Sequence, residues 1–159
     1  MAIWVIDTNV WVMLDAVTRI DQLDRDCAVN CVYWMKSIME SDDQIAVDVM
    51  MKILTKYRAN IKNGGLAQQY LNQLLTQPIT RLKFREIKYD SDGYAIIPDG
   101  LFEDEDDRKF IAVALTFDPP PPIINATDTD WGKEREKLVQ AKITITELCP
   151  AYIKAKMRT

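Results

Sequence analysis

No histidine occurs anywhere in the 159 residues, and this absence removes more mechanisms than any other feature of the composition. Without imidazole there is no Ser/His/Asp triad, no Cys/His pair, no histidine acid–base couple and no histidine-ligated zinc. Any hydrolysis has to run on carboxylates, on lysine, or on a cation that carboxylates hold, and hard oxygen donors favour Mg²⁺ or Mn²⁺. Cysteine is scarce as well. Cys27, Cys31 and Cys149 are odd in number, at spacings that make no disulfide framework, and are expected as thiols of a reducing compartment. Cys27 and Cys31, four residues apart, are expected as buried helix packing rather than metal ligands. No apolar run approaches the length of a membrane span. The apolar N-terminus has no basic lead and carries Asp7 and Asp15 inside the stretch that a signal peptide keeps free of charge. The expectation is a cytoplasmic chain with no membrane partner.

With 48% apolar and 28% charged residues, the chain has the material for one globular core, and residues 1–159 are read as a single domain. Residues 3–6 are a short apolar run ending at Asp7, which predicts a first strand, with a helix starting beyond Asn9. Cys27, Cys31, Trp34, Met35, Ile38 and Met39 recur at three and four residues and predict an amphipathic helix over about 24–40. Residues 44–47 predict a second strand closed by Asp48. A basic helix over 49–61, a break at Asn63-Gly64-Gly65, a helix over 66–77 and an alternating strand over 79–87 follow. Residues 88–100 carry turn signals and are expected as an irregular loop. An acidic start, 103–107, feeds an apolar helix, and Pro119–Pro122 lead into a strand at 123–126. A short charged helix over 131–139 and a last strand over 142–148 complete the pattern. Strands separated by helices predict a mostly parallel α/β sheet covered on both faces.

Charge is segregated. Residues 1–50 hold 9 acids and 3 basic residues, 51–88 hold 1 acid and 8 basic residues, and 89–159 hold 14 acids and 9 basic residues. The total of −4 therefore hides a basic middle. Arg81, Lys83 and Arg85 alternate and share one face of a strand, while Lys52, Lys56 and Arg58 belong to the preceding basic helix. These six are the candidates for contacting a nucleic-acid backbone, with a plain solvated face as the alternative.

In an open α/β sheet, ligands sit outside the carboxyl ends of the strands, where strand order reverses. Asp7, Asp48, Asp128 and Asp130 each follow a predicted strand, and Asp107 opens a predicted helix. The local alternatives are an N-cap cluster for Asp7, Thr8 and Asn9, a place favoured by the helix dipole for Asp107, and turn residues for Asp128 and Asp130. If they converge, the repulsion among them calls for a cation, which would polarise a phosphoryl oxygen and supply hydroxide near neutral pH.

At these residues the chain resembles the PIN-domain family of metal-dependent nucleases. VIDTNV matches the family's opening strand with Asp7, Thr8 and Asn9. DRKFIAVAL matches its small-residue helix, with Asp107 first. NATDTDW matches its last acidic strand end, with Asp128, Asp130 and Trp131 in the acidic and aromatic places. The resemblance implies a three-layer α/β/α fold with strand order 3-2-1-4-5. It implies cleavage of single-stranded RNA with Mg²⁺ or Mn²⁺ held by Asp7, Asp107 and Asp128. Asp48 and Asp130 would support that site, and Thr8 or Asn9 would orient substrate.

Two places depart from the family pattern: Lys56 stands before Tyr57 where a second acid is usual, and Ala126 stands where Thr or Ser is usual. Lys56 sustains an alternative, a catalytically impaired domain that binds RNA or protein. A receiver-type phosphoacceptor domain would need a lone Asp after the third strand and a lysine after the last, and neither is evident. A homodimer and an antitoxin-type protein partner are both compatible with the resemblance, and no residue selects either.

Overall fold

The computed structural model describes residues 1–158. Five strands, β1 (Ile3–Ile6), β2 (Gln44–Asp48), β3 (Leu82–Arg85), β4 (Ile123–Asn125) and β5 (Ile145–Glu147), form one sheet in the order β3-β2-β1-β4-β5. Every neighbouring pair is parallel, with Ile3 opposite Gln44, Val5 opposite Ile123, Ile45 opposite Leu82 and Ile123 opposite Ile145. Both the class and the strand order agree with the sequence expectation. Central strands of a parallel sheet are covered on both faces, so they read as continuous apolar runs. Val5, Ile6, Ile45, Ala46, Val47, Ile123 and Ile124 are accordingly all fully buried.

Nine helices flank the sheet among the described residues: α1 (Thr8–Met13), α2 (Gln22–Met39), α3 (Lys52–Asn60), α4 (Leu66–Leu75), α5 (Pro78–Arg81), α6 (Arg108–Ala114), α7 (Asp130–Lys133), α8 (Arg135–Gln140) and α9 (Pro150–Met157). Among the described residues no helix is long and apolar enough to cross a membrane. The buried helix α6 packs against β2, β1 and β4, which brings its first residues to the carboxyl ends of those strands. Chain order runs outward from β1 through β2 to β3, then returns to the other side for β4 and β5. The reversal of strand order therefore falls between β1 and β4.

Local chemistry moves several boundaries. The strand expected over 79–87 is only Leu82–Arg85, because Pro78 at the first helical position starts the single turn α5. The basic helix begins at Lys52 rather than 49, because Met51 adopts a left-handed conformation, φ 65°. The loop over 88–100 is irregular as expected, pinned by one antiparallel bridge between Tyr89 and Ala95. Helix α9 was not foreseen, since its apolar residues form no stripe; only Pro150 at its first turn marks it.

The cysteine expectation needs correcting. Cys27, on α2, and Cys149, 122 residues later and just before α9, form a disulfide, and Cys31 alone is a free thiol. Pairing across such a separation depends on α2 packing against α9, which spacing does not encode. Burial pushes the Cys31 thiol up to about 12.

Candidate functional site

Asp7 is the first residue beyond β1, and its extended backbone suits a cap for α1, yet its side chain makes no capping bond. Instead its Oδ2 accepts a hydrogen bond from the indole Nε1 of Trp131 at 2.6 Å. Trp131 is itself fully buried and stacks on Phe102, with ring centroids 4.5 Å apart. Asp107 lies at the junction of a short 3₁₀ turn and α6, also without a capping bond from its side chain. Asp128 sits in the turn after β4, where its Oδ1 accepts from the Asp130 backbone N–H at 2.8 Å. The three carboxylates each bring an oxygen within 4.8 Å of the others. The local reading of Asp7 as a side-chain cap therefore fails, while Asp107 does stand at the N-terminus of α6.

A buried hydrogen-bond hub fixes this geometry. Asn9 donates to Asn125 at 3.0 Å, and its own amide oxygen accepts from the backbone N–H groups of Ala126 and Thr127. Asn125 in turn donates to the Asp128 carbonyl and to Glu147. The β1–α1 turn is thereby tied to the loop carrying Asp128, so Asn9 works as a brace, with its amide already engaged. Asn125 was missed in the sequence because nothing local distinguishes a buried hub from a turn asparagine. The Thr8 hydroxyl, next along the chain from Asp7, is buried and has no hydrogen-bond partner. Leaving such a group unpaired costs about 1–3 kcal/mol.

The electrostatics follow from three anions in a sheltered crevice. Burial, reinforced by the charge of Asp107, lifts the Asp7 carboxyl to about 7, against the Trp131 hydrogen bond. Burial lifts Asp128 to about 6, with Asp130 and Asp107 adding repulsion. Asp107 is raised too, chiefly by burial, while Lys56 acts against the shift. The Lys56 ammonium reaches both Asp107 and Asp106 at 2.7 Å. Burial works against its charge, but those two carboxylates hold its pKa up at about 12. Lys56 is therefore a cation inside the site, and Asp106 is its unforeseen second partner.

The remaining candidates are placed elsewhere. Asp48 is completely buried at the end of β2, but it accepts from the backbone N–H groups of Lys52 and Ile53, at 3.0 and 2.8 Å, and from the Tyr89 hydroxyl. It anchors α3 and lies outside the three-carboxylate cluster. Asp130 pairs with Lys133 at 3.2 Å and lines a hollow of about 360 Å³ with Phe102, Glu103, Asp104 and Glu134. Lys52 donates to the Gly93 carbonyl, over the Tyr89 ring. Arg81 reaches the carbonyls of Ile38 and Asp43 around the end of α2. Arg85 stacks on Phe117, Lys83 is half-buried, and Arg58 is exposed. Arg81 and Arg85 thus sit at opposite ends of β3 with structural partners, and of the six basic candidates Lys56 is the one paired with the acids.

What the cluster can do chemically is bind a hard cation. Three carboxylate oxygens suit Mg²⁺ or Mn²⁺, and the orphaned Thr8 hydroxyl offers a further polar atom. Comparison with protein-family models, with curated proteins and with solved structures yields no match.

Proposed function

We propose that the chain is a Mg²⁺- or Mn²⁺-dependent endonuclease of PIN type that cleaves single-stranded RNA. The observation that carries this reading is the convergence of Asp7, Asp107 and Asp128 within 4.8 Å at the point where strand order reverses. The three motifs around those residues support it. The bound ion would polarise the scissile phosphoryl group and lower the pKa of water. The chain's own contribution is positional. Trp131 occupies one Asp7 oxygen and leaves the other free, while the Asp130 N–H orients Asp128 and the Asn9–Asn125 brace holds the two loops at a set distance. Because Asp7 is lifted to about 7 and Asp128 to about 6, cation affinity would rise with pH through that range.

A second reading rests on one observation, the ion pair between Lys56 and Asp107. There the lysine replaces the metal, and the domain binds RNA or protein without cleaving it. A thermal melt with Mn²⁺ separates the two. On the first reading, Mn²⁺ at a hundredfold excess over Kd stabilises the parent by about 2.7 kcal/mol, and single-stranded RNA oligonucleotides are cut. Asp128→Asn would lose both effects. A parent indifferent to Mn²⁺, with a response appearing only in Lys56→Ala, selects the second reading.

A further inference from the structure

The three cysteines form a second cluster, where α2 meets the start of α9. Cys27 and Cys31 are one turn apart on the same helix face, and Cys149 arrives from the other end of the chain. All three are at most 2% exposed, and their sulfur atoms lie within 4.8 Å of one another. Cys31 Sγ stands 3.9 Å from Cys149 Sγ without being bonded to it. We propose that opening the Cys27–Cys149 disulfide creates a three-thiolate site for one divalent cation of the Zn²⁺ or Cd²⁺ class.

The spacing fits the chemistry. A Zn–S bond of about 2.3 Å in tetrahedral geometry puts neighbouring sulfurs about 3.8 Å apart. That is close to the separation already found for Cys31 and Cys149. Thiolates select Zn²⁺ or Cd²⁺ over the Mg²⁺ or Mn²⁺ suited to carboxylates. Charge selects valence: three thiolates with a divalent ion leave one negative charge, whereas a monovalent ion would leave two in a buried site. Cys149 is also the residue preceding the first turn of α9, where the helix dipole favours negative charge. With three protein donors, the fourth position falls to a small exogenous ligand. Opening the site takes two electrons and two protons, supplied by a dithiol that itself closes to a disulfide. Binding then displaces the three thiol protons in exchange for the cation.

The test compares the whole chain oxidised with the same chain reduced by a dithiol and desalted without oxygen. Each is titrated with Cd²⁺ while the ultraviolet thiolate-to-cadmium charge-transfer absorption is followed, then challenged with Zn²⁺ and with Mg²⁺. The expected result is one Cd²⁺ per reduced chain, bound with lower apparent affinity in a large excess of Zn²⁺ but not of Mg²⁺, and no band in the oxidised chain. Cys31→Ala, reduced, should bind roughly 100-fold or more weakly, having lost one of three thiolates. Asp7→Asn should keep the band, which separates this site from the carboxylate cluster. No band in the reduced parent, an equal band in the oxidised one, or full affinity in Cys31→Ala would overturn the proposal. The parent comparison needs no variant to fold.

Discussion

Asp7 and Asp48 end adjacent parallel strands, both buried, yet they live in opposite environments. At the end of β2, Asp48 is surrounded by donors: two backbone N–H groups of the α3 start and the Tyr89 hydroxyl. Between β1 and β4, Asp7 has one donor, the Trp131 indole, and faces two further carboxylates. A buried carboxylate with its acceptors filled ties the fold together. One surrounded by its own kind stores repulsion that a cation could release. Burial alone does not separate these roles; the count of donors does.

Removing each carboxylate in turn should shift stability in opposite directions. Asp48→Ala removes the acceptor for three donors at once and should destabilise the protein by about 3 kcal/mol in urea unfolding, because hydrogen bonds to charged groups contribute about 1.5–3 kcal/mol. A loss below 1 kcal/mol would mean that Asp48 is not the anchor of α3.

Asp7→Asn should act in the opposite direction in EDTA. A carboxyl raised to about 7 in the fold, against 3.8 ordinarily, keeps a proton that the unfolded chain releases between those values. Stability therefore falls as pH rises from about 4 to about 7, and stays low above that. The variant has no such loss. It should melt a few degrees above the parent at pH 8, on the order of 1 kcal/mol or more, with the difference closing towards pH 4. A difference that is constant across this range would mean that burial and the neighbouring carboxylates do not raise Asp7.

The smallest effect should come from Tyr89→Phe, which withdraws one of the donors to Asp48 while keeping the ring beneath Lys52. The expected cost is about 0.5–1 kcal/mol by urea unfolding, with the Mn²⁺ response of the parent retained. A changed Mn²⁺ response would couple the two strand ends and weaken the distinction between them.

Much of this was legible in the chain. Apolar runs at 3–6, 44–47 and 123–126 are each followed within two residues by an acid, and helix-period segments lie between them, so the parallel sheet and the acids at its carboxyl edge were readable from periodicity. The same reading grouped Asp48 with Asp7, because both are aspartates after strands. It also grouped Arg81 with Lys83 and Arg85 as one basic face, although Arg81 instead holds carbonyls at the end of α2. Local pattern gives a side chain's direction along its own element, but not what waits on the neighbouring one.

The elements, their alternation and the excluded chemistry follow from the chain alone, because strand and helix periods and the absence of histidine are local properties. Periodicity could not say which acids meet; the motif resemblance pointed to Asp7, Asp107 and Asp128, and packing brings those three together. Asp7 joins Asp107 and Asp128 because α6 crosses β2, β1 and β4, and Lys56 reaches Asp107 across 51 residues. Packing likewise decided that Cys27 bonds to Cys149 rather than to the nearer Cys31. Such contacts depend on how whole elements pack, since a few ångströms of separation are set by strand order and loop closure rather than by spacing along the chain.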